Sequence, residues 1–92
     1  MAGQKRVAIV TGGSSGIGRA AALGLAAAGY DVAICGRRAD ALQTVALETR
    51  GFWKACDVTD PAAVAHFFSG VKEAYGRIDL VFNNAGRFAP HC

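Results

Sequence analysis

Val7-Ala8-Ile9-Val10-Thr11-Gly12-Gly13-Ser14-Ser15-Gly16-Ile17-Gly18 begins with four apolar residues and ends with four glycines in seven positions. The run Val7–Val10 reads as a short buried strand, closed by a glycine turn. A helix is expected from Ile17, on the spacing of Ile17, Ala21, Gly24, Leu25 and Ala28, with Gly29 as its stop. Two demands explain glycine between such a strand and helix. A sharp turn needs unusual φ values, and a ligand phosphate must approach the main chain without a Cβ in the way. The helix N-terminus then directs unpaired N–H groups and a partial positive charge at an anion.

The alternation continues outward from this stretch. Val32-Ala33-Ile34-Cys35 is a second apolar run, stopped by Gly36. Residues 39–49 are good helix formers with Leu42, Val45, Ala46 and Thr49 on one side, and Gly51 follows. Phe52–Cys56 reads as a third strand, interrupted by Lys54. Asp60-Pro61 is a helix start, a capping carboxylate before a proline at the first helical position. Val64, Phe67, Phe68, Val71 and Tyr75 then mark an amphipathic helix that Gly76 ends. Leu80-Val81-Phe82 is a fourth strand, running into Asn83-Asn84-Ala85-Gly86. Continuous apolar strands separated by helices imply parallel pairing with right-handed crossovers and helices on both faces.

The chain has 92 residues, 52% apolar and 18% charged, which suits one small globular domain and excludes a disordered polar segment. Eight of its 12 glycines fall within the first 36 residues. The net charge sits in the first half: residues 1–50 carry six Lys and Arg against three Asp and Glu, whereas residues 51–92 carry four of each. No basic stripe with interleaved aromatics is present, so nucleic acid is not an expected partner, and a small phosphorylated ligand fits better. Cys35, Cys56 and Cys92 are odd in number and widely spaced, giving neither a disulfide framework nor a zinc pattern. Cys35 reads as a small buried hydrophobe. Val7–Val10 is too short for a signal peptide and Ala20–Ala28 too short to span a bilayer, so no membrane contact is expected. The expected location is a reducing compartment, the cytoplasm.

Gly13 to Gly18 superficially matches a nucleotide-triphosphatase loop, but Arg19 and Ala20 stand where lysine and a hydroxyl are needed. Thr11-Gly12-Gly13-Ser14-Ser15-Gly16-Ile17-Gly18 is instead similar to the T-G-x-x-x-G-x-G of the short-chain dehydrogenase/reductase family. Asp57-Val58 after the third strand and Asn83-Asn84-Ala85-Gly86 after the fourth match two further family motifs, in the right order. The resemblance covers residues 6–86, well under half of a usual family member. It implies an α/β Rossmann-like parallel sheet of order 3-2-1-4 with helices on both faces, incomplete at the C-terminal side. Residues 1–86 would form the dinucleotide-binding segment and 87–92 an unstructured tail.

By that resemblance Gly12, Gly16 and Gly18 line a pyrophosphate, and Ser14, Ser15 and Ile17 supply loop contacts. Asp57 would accept from the adenine amino group, and the Val58 main-chain N–H would donate to the ring. Asn83 would steady the sheet near the cofactor, with Ala85 and Gly86 packed by the ribose. An acid that would bind a ribose 2′-hydroxyl is missing: Gly36 occupies its place, Asp31 comes before the strand and Asp40 lies in the next helix. Arg37 and Arg38 follow Gly36 and suit a 2′-phosphate, so NADP is preferred to NAD, with Arg37 ahead of Arg38 as the contact.

The family transfers hydride with the help of a tyrosine and a lysine four residues later, the lysine lowering the tyrosine pKa. Tyr30 is followed at that spacing by Ile34 and Tyr75 by Asp79, so both read as packing residues. Ser69, His66, His91 and Cys92 form no catalytic set. The family's oligomer contacts come mainly from later helices. The expectation is an NADP-binding N-terminal segment of a short-chain oxidoreductase, inactive alone. The alternatives are a non-catalytic dinucleotide- or partner-binding module and a non-functional truncated product.

Overall fold

A computed structural model describes residues 5–12 and 16–84. The expectations placed on Ser14, Ser15, Ala85, Gly86 and the tail 87–92 fall outside these residues. The elements are β1 (Val7–Thr11), α1 (Gly16–Ala27), β2 (Asp31–Gly36), α2 (Ala39–Thr49), β3 (Phe52–Ala55), α3 (Pro61–Tyr75) and β4 (Leu80–Asn83). The four strands form one sheet in the order β3-β2-β1-β4, every pair parallel.

The inner strands are apolar from Val7 to Val10 and from Val32 to Cys35 because both of their faces are covered there. Val10, Val32 and Ile34 pack under α1 and α2 against Ala22, Leu42, Val45 and Ala46. Val7, Ile9, Ala33 and Cys35 face the other way and meet Phe67 and Val71 of α3. Phe52 stacks on Phe67 at a centroid distance of 5.9 Å, closing this second core at the β3 edge. Tyr30 packs against the first core and Tyr75 against the second, the packing roles expected of both.

The signals for the third helix hold to the residue. Asp60 caps α3, its Oδ1 accepting from the Ala62 N–H at 3.0 Å, and Gly76 closes the helix in the left-handed region. At the end of α2 it is Arg50, and not the Gly51 that follows, that takes the left-handed conformation (φ 57°). Glycine is needed at 51 for another reason: a Cβ there would overlap the Val32 carbonyl oxygen.

The α1 stripe differs from its expected one. Gly18 and Ala22 are the buried positions, with Leu25 and Ala26 packed behind them, whereas Ile17 is 69% exposed and Gly24 and Ala28 face solvent. A helix rich in alanine and glycine has no strong apolar stripe to orient it. Contact between Gly18 and the turn below decides its rotation instead. Asp31 also moves, from before the second strand to its first residue, paired with Val7 at the end of the sheet opposite the glycine turn.

Candidate functional site

The C-terminal ends of all four strands meet at one edge of the sheet, and β1 lies between a strand that follows it directly and one that comes much later. Such a change of direction opens a crevice where ligands settle in parallel α/β sheets. The predicted residues divide there into two groups, one central and one at the β2–β3 corner.

The central group is made of backbone and neutral side chains. Gly12 has φ 70° and Gly16 φ 52°, values that disfavour a side chain. The Gly12 N–H donates to the Cys35 carbonyl at 2.7 Å, tying the turn to β2. A Cβ on Gly18 would overlap the Gly12 carbonyl oxygen and approach the Asn84 amide nitrogen to 2.8 Å. That amide donates to the same Gly12 oxygen at 3.2 Å, and the Asn84 N–H to the Thr11 carbonyl at 3.2 Å. One place further back, the Thr11 hydroxyl donates to Asn83 Oδ1 at 2.7 Å. Asn83 thus joins the ends of β1 and β4. Thr11 and Asn84 complete this clamp without having been singled out as site residues. Their signal was the register, which puts Thr11 opposite Asn83.

The corner group is charged. Arg37, Ala55, Cys56 and Asp57 line a surface hollow of about 320 Å³. Arg37 Nε lies 4.0 Å from Asp57 Oδ1, and both side chains are more than half exposed. The Thr59 N–H and hydroxyl donate to the same Oδ1 at 2.9 and 2.6 Å. These two bonds, and less strongly the Arg37 charge, hold the Asp57 carboxyl below its usual range. Gly36, buried at the end of β2, brings no acid to the hollow.

The two arginines separate. Arg38 takes the N-cap position of α2 without a side-chain cap bond, and its guanidinium turns toward Asp40 at 3.9 Å. Only Arg37 faces the hollow. The Val58 side chain turns to the core under α3 and to a more apolar groove with Pro61, Val64 and Phe68, leaving its main chain as the part nearest Asp57. Ile17 stands exposed in the first turn of α1. Cys35 is inert: burial first, and the neighbouring Cys56 second, push its thiol up to about 12. Among the described residues, no cluster of three or more metal-ligating side chains occurs and no helix is long and apolar enough to cross a membrane.

Fold and site together define a parallel α/β protein with a closely packed glycine turn at the C-terminal edge of its sheet. The family model for short chain dehydrogenases matches residues 6–91, and the chain belongs to that family. It is 38% identical over 87 residues to a 3beta-hydroxysteroid dehydrogenase of Mediterraneibacter gnavus, covering 89% of this chain and 32% of that protein. A variant of actinorhodin polyketide ketoreductase, solved with NADPH, superposes with a TM-score of 0.86 at 36% identity over 100% of this chain and 38% of its own. L-sorbose reductase from Gluconobacter frateurii, complexed with NADPH and L-sorbose, gives 0.85 at 32% identity, covering 97% and 36%. The chain thus spans about a third of the length of the relatives it matches.

Proposed function

We propose that this chain binds NADP and forms the cofactor-holding part of an oxidoreductase acting between a carbonyl and an alcohol. One observation carries the reading: a glycine turn between β1 and α1, with no room for a Cβ at Gly18, shares a sheet edge with a guanidinium, and not a carboxylate, just past the end of β2. Solved relatives holding NADPH support the same choice. In this reading Gly12, Ser14, Ser15, Gly16, Ile17 and Gly18 surround the pyrophosphate, with the N-terminus of α1 favouring its charge. Arg37 takes the 2′-phosphate, with Arg38 further out. Asp57 accepts from the adenine amino group and the Val58 N–H donates to the ring. Asn83 steadies the sheet near the cofactor, and Ala85 and Gly86 pack by the ribose.

The cofactor, when bound, supplies or accepts the hydride. The described residues of this chain bind and orient it, and do not include the acid–base group. Tyr75 supports that division, since burial first and Asp31 second raise its hydroxyl pKa. A proton-transferring tyrosine needs the opposite shift. Calorimetric titration with NADPH and NADH is the test. One-to-one binding is expected, with NADPH tighter by roughly tenfold or more, as charge-assisted bonds to a phosphate require. No saturable binding, or NADH bound as tightly, overturns the proposal.

A further inference from the structure

The Asp57 carboxylate is divided between two tasks. Oδ1 accepts both Thr59 hydrogen bonds, at 2.9 Å from N–H and 2.6 Å from the hydroxyl, and is also the oxygen nearest Arg37. Among the described residues, no hydrogen bond to Oδ2 is made. A carboxylate on an exposed loop ordinarily rotates, but two donors from one residue on one oxygen hold this one in a single orientation. Arg37 meets it through Nε. This presents the Nε side of the guanidinium to the protein and leaves the two terminal nitrogens available for bidentate contact with an oxyanion. An exposed pair at 4.0 Å adds little to stability, so its consequence lies in direction.

We propose that Thr59 is a positioning residue for cofactor choice: it locks the Asp57 carboxylate, which orients the Arg37 fork toward the 2′-phosphate of an adenosine ligand. This rests on the assignment of Arg37 to that phosphate. Without the Thr59 hydroxyl, Asp57 turns, its charge competes with the phosphate for Arg37, and the preference for a 2′-phosphorylated ligand falls. The backbone N–H bond remains, so the loss is partial.

The experiment measures dissociation constants for 2′,5′-ADP and 5′-AMP in wild type, Thr59→Val, Thr59→Ser, Arg37→Ala and the Thr59→Val/Arg37→Ala double variant. The readout is the ratio of the two constants. Thr59→Val should lower the preference for 2′,5′-ADP about three- to fivefold, the worth of one charge-assisted bond at an exposed site. Thr59→Ser, which keeps the hydroxyl, should restore it. In the Arg37→Ala background Thr59→Val should leave the ratio unchanged, because Thr59 acts through Arg37. A wild-type ratio in Thr59→Val, or an equal drop without Arg37, overturns the Thr59 assignment. If Arg37→Ala itself leaves the ratio untouched, the parent assignment of Arg37 fails instead. Thermal melts of each variant identify any unfolded protein, and the Thr59→Ser rescue then decides.

Discussion

The β1–α1 turn and the β2–β3 corner share one edge of one sheet yet are built from opposite materials. At the turn, close approach does the work: Gly18 rests on the Gly12 carbonyl, and neutral amide and hydroxyl bonds from Asn84 and Thr11 tie β1 to β4. At the corner the side chains are exposed and charged, and Arg37, Asp57 and Thr59 are ordered by a few polar contacts. Changes at the turn should therefore act on folding and on every dinucleotide alike. Changes at the corner should leave the fold intact and alter which dinucleotide is preferred.

Gly18→Ala should have the largest effect. Its added Cβ meets backbone that cannot move aside, so a loss of about 1–3 kcal/mol in denaturant unfolding is expected, with NADPH and NADH binding lost together. Wild-type stability in this variant would mean that the turn is not closely packed. Asn84→Ala should follow with roughly 1 kcal/mol, the value of one half-buried hydrogen bond, and equal weakening of both cofactors. A selective loss of one cofactor would break the division between the two regions.

The smallest effect belongs to the far end of the sheet. Arg77 first, and the Val7 N–H second, hold the Asp79 carboxyl below its ordinary 3.8. Its stabilisation is therefore complete above that ordinary value and is lost as pH falls through the lower folded one. Asp79→Asn should flatten the fall in melting temperature below about pH 4 and leave cofactor preference alone. An unaltered acid limb would remove Asp79 from the account.

The same contrast explains what the sequence makes legible. The ends of α3 can be read directly, because Asp60-Pro61 and Gly76 act locally. The strand order and the glycine turn follow from continuous apolar runs and motif order. The rotation of α1 does not, since its alanines and glycines leave tertiary contact to choose the buried face. The bond between Thr11 and Asn83 joins residues 72 apart and depends on strand register. Thr59 was hidden differently. Its place two residues after Asp57 is a local signal for a turn, but its bearing on Arg37 emerges only when β2 and β3 lie side by side.

The claim that charge at the corner sets cofactor choice is tested most directly by Arg37→Asp, with NADPH and NADH titrated against this variant and wild type. A carboxylate would repel a 2′-phosphate and accept from a 2′-hydroxyl, so the preference should reverse toward NADH while the melting temperature stays near wild type. Equal weakening of both cofactors, or an unchanged ratio, would contradict the account.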